Sequence, residues 1–278
     1  MNKTYIIAEI GINHNGDLNL AKELIKISKK SGCDAVKFQK RDIDSVYSIE
    51  ELESFRESPW GTTFRQQKEG LEFSIEEYKE LELFAKNLEL DFIVSCWDKK
   101  SLHLINENCD VKYQKIASAL LTDKSFLEEI NKTNKPVILS TGMSSQEEID
   151  SAIKVLDNLE IILSCTSTYP SKDEEINLKY IQTLKEKYPQ YKIGFSNHAN
   201  GLLPTIGSIA LGAECIEFHI TKDRTMYGSD QAASIEHPEE LVSGIRKMEN
   251  LLGDGIKKVY ESEKSIAKKL RKVNDILL

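Results

Sequence analysis

Two histidines close apolar, β-branched runs in the last third of the chain, in Ser196-Asn197-His198 and in Glu217-Phe218-His219. If these runs are neighbouring strands, their ends bring two imidazoles together, and neutral ring nitrogens there could hold a divalent cation. No H-x-x-x-H helical spacing reinforces that signal, so two satisfied core histidines are an equal alternative. Glu217 alternates with His219 and so shares its side of the strand. Glu9, in Ala8-Glu9-Ile10-Gly11, is a second carboxylate among apolar neighbours, where ionisation is costly without a partner or a task. Pairing with a buried lysine would also account for it.

Two such lysines exist. Val36-Lys37-Phe38-Gln39 places Lys37 and Gln39 on one face, and Gln114-Lys115-Ile116-Ala117-Ser118 repeats the pattern with Lys115. With the hydroxyls of Ser118, Ser140 and Ser196 they could cradle a phosphate or carboxylate, since each supplies donors to an anion; a lone inward lysine would serve only as counter-ion to a barrel carboxylate. The run Cys165-Thr166-Ser167-Thr168-Tyr169-Pro170 and the turn at Gly142 add polar groups that either read a ligand's hydroxyls or cap turns. His14, in Asn13-His14-Asn15-Gly16, either touches a ligand or orders its own loop.

The elements that must position these groups follow from periodicity. Eight short apolar runs, at 5–12, 35–39, 92–96, 113–118, 136–141, 161–167, 192–198 and 215–220, alternate with segments of helical period, the pattern of repeated β-α units. One helix carries Leu18, Ala21, Leu24 and Ile25 on one face between a capping Asp17 and a terminating Gly32; another starts at Pro238 and ends before Gly253. A doubly wound open sheet has the same pattern, but it would gather polar residues at one switch point, whereas here they recur at nearly every strand end. The expected fold is therefore an α/β (β/α)₈ TIM barrel, a single catalytic domain over 1–278 with 253–278 as a helical extension. The segment 41–73, with Ser58-Pro59-Trp60-Gly61, is too long for an ordinary connection and is expected to be a lid or binding segment. Ile266, Leu270, Val273 and Leu277 predict an amphipathic tail helix, packed on the barrel or on a neighbouring subunit.

The 278 residues suit one such barrel, and a formal charge of −8 argues against a partner that is nucleic acid or an anionic membrane surface. Five cysteines, odd in number and widely spaced, are expected to be reduced thiols in a cytoplasmic protein. No apolar stretch approaches the roughly 20 residues of a membrane helix.

Taken in order, AEIGINHNG, VKFQ, QKIAS, STGMSS, CTSTYP, GFSNH, IEFH and GSDQ resemble the N-acetylneuraminate (sialic acid) synthase family almost from end to end. The resemblance implies a metal-dependent condensation of phosphoenolpyruvate, through its C3, with the aldehyde of an open-chain aldose, giving a 3-deoxy-2-ulosonic acid and phosphate. It implies that His198 and His219 bind Mn²⁺ or Mg²⁺, that Lys37, Lys115, Ser118, Ser140 and Ser196 hold phosphoenolpyruvate, and that Gln39, Tyr169 and Asp230 contact the sugar. Glu9 and Glu217 match the acidic residues of the reaction centre, and the family suggests a homodimer.

Departures from the family pattern cluster near these positions. Cys96 stands where a hydroxyl contact to phosphate is expected, Ser167 where asparagine is frequent, Asn197 where aspartate often precedes the metal histidine, Phe218 where lysine is common, and Gln231 where histidine is frequent. The chain also stops near the barrel's end, where many members continue into an antifreeze-like domain that reaches an acyl-amino sugar; the expected aldose is N-acetylmannosamine-like or another hexose derivative. Two rival readings are a synthase for a phosphorylated aldose, which would need a second phosphate site that no arginine cluster in the sequence suggests, and a barrel that binds sugar or phosphoenolpyruvate without turnover.

Overall fold

The computed structural model describes residues 3–272. Eight parallel strands close into a barrel: β1 (Tyr5–Gly11), β2 (Ala35–Lys40), β3 (Asp91–Cys96), β4 (Gln114–Ile116), β5 (Val137–Ser140), β6 (Leu159–Cys165), β7 (Lys192–Asn197) and β8 (Cys215–His219). Each pairs with its successor, and β8 pairs with β1, so the sheet has no edge and the open-sheet alternative falls. Helices cover the outside. The one over Leu18–Ser31 begins where the Asp17 carboxylate accepts from the amides of Asn19 and Leu20, and stops at Gly32, whose φ of 88° is left-handed. The helix over Pro238–Leu252 has its proline in the first turn, as its sequence predicts. β4 is shorter than expected because Ser118–Leu120 turns into a 3₁₀ helix.

Strand alternation divides the side chains into two populations. Ile6, Ala8, Val36, Phe38, Val94, Cys96 and Phe218 point outward into the main core beneath the helices. Ile7, Ala35, Ile93, Tyr113, Ile138, Ile161, Leu163 and Cys215 form a separate apolar cluster within the barrel. Two residues further along the same inward faces the chemistry changes: Ile7 leads to Glu9, Ala35 to Lys37, Ile93 to Ser95, Tyr113 to Lys115, Ile138 to Ser140, Leu163 to Cys165 and Cys215 to Glu217. A period of two thus builds an apolar plug at the strands' N-terminal half and a polar cavity at the C-terminal half.

The long segment after β2 folds into short helices at Ile43–Val46 and Ile49–Glu53, a hairpin of Phe55–Ser58 with Gly61–Thr63, and a helix over Phe64–Leu71. Trp60 lies against Gly70, where an added Cβ would meet its ring at 2.1 Å, and stacks edge-on with Tyr227 at 5.7 Å, tying the segment to the loop after β8. The tail helix, Glu261–Leu270, leaves Ile266 56% and Leu270 68% exposed, so these side chains do not pack on the barrel as one reading expects; Val273 and Leu277 lie outside the described residues. No helix among the described residues is long and apolar enough to cross a membrane.

Inside the plug β7 packs tightly against its neighbours at Gly194, where a Cβ would fall 2.3 Å from the Cys215 carbonyl oxygen and 2.6 Å from Leu163 Cδ2. Gly194→Ala should cost about 2 kcal/mol through overpacking of a closed barrel that cannot splay. The urea midpoint measures it, and an unchanged midpoint would refute the close-approach argument.

Candidate active site

Side chains from all eight strand ends meet over the plug in a cavity of about 220 Å³. Its walls include Glu9, Lys37, Gln39, Lys115, Ser118, Ser140, Ser167, Tyr169, Ser196, His198, Glu217 and His219, so every site residue expected from the sequence lines it except Asp230. Asp230 stands just behind, its carboxylate 3.6 Å from His219 Nδ1.

At the floor lie two lysines and two carboxylates, all buried. Lys37 Nζ is 2.7 Å from Glu9 and 3.7 Å from Glu217 Oε2, and Lys115 Nζ is 3.8 Å from that same oxygen. Lys115 also donates to Ser140 Oγ at 2.7 Å and to the Ile116 carbonyl, while Gln39 donates to Glu9 Oε1 at 2.7 Å and Ser196 to Glu217 Oε1 at 3.1 Å. Burial alone would raise the Glu217 carboxyl, but Lys115 and Lys37 outweigh it and hold the group well below the usual carboxylate range. Burial likewise disfavours the Lys37 ammonium, and Glu217 with Glu9 reverses that, leaving its pKa above the ordinary value. Lys115, with less support, is shifted downward by burial. The pairing reading of Glu9 is thus realised, and it does not exclude a chemical task.

On the opposite wall, His198 and His219 face each other with ring centroids 5.4 Å apart. The His198 Nδ1 lies 2.8 Å from the Thr166 carbonyl oxygen and donates to it, which leaves Nε2 as the acceptor for the Tyr169 hydroxyl at 3.0 Å. Burial lowers the His219 pKa and keeps that ring neutral, and its buried Nδ1 has no hydrogen-bond partner. A divalent cation that completes its shell with water and substrate oxygen would take one ring nitrogen of His219 together with His198 Nε2, displacing the Tyr169 hydroxyl from the latter. Among the described residues no group of three or more His, Cys, Asp or Glu side chains forms a fuller cage.

Several expectations change. His14 is buried away from the cavity, stacked on Phe73 at 4.2 Å, with its Nδ1 accepting from the Gly16 amide; burial pushes its pKa down to about 3. It orders its loop. Cys96 and Phe218 point into the outer core, and the Asn197 side chain accepts from the Ala199 amide, so none of the three removes a group from the cavity. The hydroxyl on β3 comes from Ser95, which lines the wall beside Trp97. Sequence reasoning passed over both, although parity was available: Gln39 pairs with Ser95 and Lys40 with Cys96. Arg41 was also missed. Its guanidinium stacks on Trp97 at 4.2 Å and donates to Gln39 Oε1 at 2.5 Å.

Glu217→Gln should lower stability at pH 7 by about 3 kcal/mol, because two buried ammonium groups lose a shared counter-ion. The folded-state pKa of Glu217 is depressed, so its contribution is present above the ordinary value of 4.5 and is lost as pH falls below it. The gap between wild type and variant in urea midpoint should therefore narrow on acidification below pH 4.5. A gap that widens would contradict the assignment.

With that geometry in view, the chain's likeness to known proteins is extensive. The model described as the NeuB family matches residues 24–257. An N,N'-diacetyllegionaminic acid synthase of Campylobacter jejuni is 39% identical over 98% of this chain and 84% of its own length. A human N-acetylneuraminate-9-phosphate synthase is 35% identical over 96% of this chain and 76% of its own. The crystal structure of an N-acetylneuraminic acid (sialic acid) synthetase from Leptospira borgpetersenii, in complex with citrate, superposes with a TM-score of 0.83 at 31% identity, covering 98% of this chain and 94% of that one.

Proposed function

The chain belongs to the NeuB family, and we propose that it condenses phosphoenolpyruvate with an aldose to give a 3-deoxy-2-ulosonic, sialic-acid-like product and inorganic phosphate. The observation that carries this is the pairing, in one cavity, of a lysine-floored anion cradle with two imidazoles that face each other. Relatives named as synthases of different nine-carbon sugar acids support the reaction class and leave the aldose to be found.

In this reading Lys37 and Lys115 neutralise phosphoenolpyruvate while the hydroxyls of Ser118, Ser140, Ser167 and Ser196 fix its orientation, which sets C3 against the aldehyde carbon. Gln39, Tyr169 and Asp230 orient the sugar from the rim. A divalent cation, Mn²⁺ or Mg²⁺, held by His198 and His219 would supply Lewis acidity to the aldehyde oxygen. Carbon–carbon bond formation leaves C2 electron-poor and the former aldehyde oxygen negative; water adds at C2, one of its protons passes by way of a carboxylate to that oxygen, and the other leaves with the phosphate as C–O cleavage makes C2 a ketone. Glu9 and Glu217 are the candidates for that proton. An anion on the lysines competes for the charge that keeps Glu217 acidic, so substrate itself raises the proton affinity of this carboxylate.

The site occupies one barrel domain, to which the C-terminal segment is an extension. All five cysteines are free thiols, which supports a cytoplasmic setting. Apolar side chains exposed at Ile256, Val259, Tyr260, Ile266 and Leu270 support a homodimer in which a second copy covers them, and light scattering measures the mass.

Protein supplied with phosphoenolpyruvate, Mn²⁺ and a panel of aldoses should release phosphate only with its proper sugar, whose product is then identified by mass spectrometry. Chelator should abolish release. His198→Ala and His219→Ala should each lower kcat/KM by about a thousandfold with the circular dichroism spectrum unchanged. Full turnover in both variants would remove the metal role, and binding of phosphoenolpyruvate without turnover on any aldose would favour the binding-protein rival.

Lys115→Met should raise the phosphoenolpyruvate KM about tenfold or more, since it deletes one of two ammonium groups facing the anion. An unchanged KM would move the anion elsewhere.

A further inference from the structure

Gln39 stands between a cation and a carboxylate, and its amide has one orientation that suits both. Arg41 Nη2 donates to Gln39 Oε1 at 2.5 Å, and Gln39 Nε2 donates to Glu9 Oε1 at 2.7 Å. A guanidinium has no acceptor, so it takes only the carbonyl end of the amide. A turned amide would set its NH₂ group against the donors of Arg41 and its oxygen against the Glu9 carboxylate. The carbonyl end is thereby occupied, and N–H is what Gln39 has left to offer the cavity it lines.

Arg41 is itself held from several directions. It follows β2 with the same parity as Lys37 and Gln39, so it leaves the strand on their side of the chain. Its guanidinium lies on the Trp97 ring at 4.2 Å, and the Trp97 amide donates to the Lys40 carbonyl at 2.9 Å, which fixes that ring's base. Glu72 accepts from the Arg41 amide at 3.2 Å and lies 3.8 Å from Nη1. The Tyr78 hydroxyl donates to the Gln39 carbonyl at 2.5 Å, so the main chain between the two side chains is pinned as well. The Arg41 side chain is only 9% exposed and is not part of the cavity wall. Whatever it does for a ligand passes through Gln39.

With Arg41 in place, one N–H of Gln39 is committed to Glu9 and the second is left for an acceptor oxygen of a bound sugar. Without it, a shielded carbonyl has no donor, which costs more than the bond itself is worth. The amide then rotates to relieve that cost and takes both N–H groups out of register.

We propose that Arg41 is a positioning residue for the reaction: it locks the Gln39 amide with its N–H groups toward Glu9 and the sugar, so that this point of the wall donates. This rests on the sugar-acid synthase reading and adds to it a residue that touches no substrate.

Two measurements test it. With phosphoenolpyruvate, Mn²⁺ and the aldose that turns over, Arg41→Met should lower kcat/KM for the aldose about tenfold and leave the phosphoenolpyruvate KM within about twofold. In a Gln39→Met background the same substitution should have no further effect, because the group it positions is gone. Full additivity, or an equally large rise in the phosphoenolpyruvate KM, overturns the proposal and leaves Arg41 a packing role against Trp97 and Glu72. Arg41→Lys keeps a donor and loses the planar stack, so it should stay within about threefold of wild type; a loss as deep as that of Arg41→Met overturns the hydrogen bond as the operative contact. The second measurement needs no turnover. In ¹⁵N-labelled protein the side-chain amide signal of Gln39, identified by its absence from Gln39→Met, should shift or split in Arg41→Met and persist in Arg41→Lys. An unchanged signal in Arg41→Met overturns the lock. If no aldose turns over, the synthase reading fails, and the amide signal still decides whether Arg41 sets the orientation of Gln39.

Discussion

Two ammonium groups and two carboxylates share the floor of the cavity, and the surrounding structure follows from the need to keep them there. Each charge alone would cost several kcal/mol in so buried a position, and only mutual pairing makes the set tolerable. The pairing is incomplete: Glu217 Oε2 sits 3.7 and 3.8 Å from the two ammonium nitrogens and has no hydrogen bond. Direct contact is kept for Lys37 with Glu9 and for Lys115 with Ser140. The lysines are therefore neutralised at a distance, and an anion that approaches them meets cations whose counter-charge is close but not clamped. A parallel barrel suits such a set because it fixes each charge on a different rigid strand, so none can relax to quench the others.

Around this floor the loops act as a frame. Gly16 approaches Gly70 so closely that a Cβ would lie 2.0 Å from the Gly70 carbonyl oxygen, and Trp60 covers the other side of that glycine. Gln67 donates to the Tyr227 hydroxyl at 2.6 Å, so the long segment after β2 is joined to the loops after both β1 and β8. Those loops carry Asn13, which holds the Ile220 carbonyl and Ser234, and Asp230, which faces His219. The rim is thus cross-braced around the imidazole wall.

Much of this was legible from residue types. Alternation showed that Lys37 and Gln39, or Glu217 and His219, share a face, and the recurrence of polar residues at strand ends pointed to a closed barrel. Parity also puts Ser95 rather than Cys96 on the inward face, two residues beyond Ile93. What alternation could not convey is distance between segments. Nothing in Asn13-His14-Asn15 says that Phe73 will stack on His14, and nothing in Arg41 says that its guanidinium will lie on Trp97, since both depend on how distant segments fold back. The exposed stripe at Ile266 and Leu270 has helical spacing that predicts burial; the spacing records a preference for apolar company and is silent on where that company comes from.

The apolar plug beneath the floor has a kinetic meaning. Ile7, Ile93, Tyr113, Ile138, Ile161 and Leu163 fill the barrel below the charges, so the cavity opens at one end only. Lys115 is 3% exposed and Tyr169 at the rim 42%. A molecule seated on the lysines must enter before anything that rests against Tyr169 and can leave only after it. The stacking of side chains in the barrel's interior therefore imposes a queue, first in and last out, on whatever the protein handles.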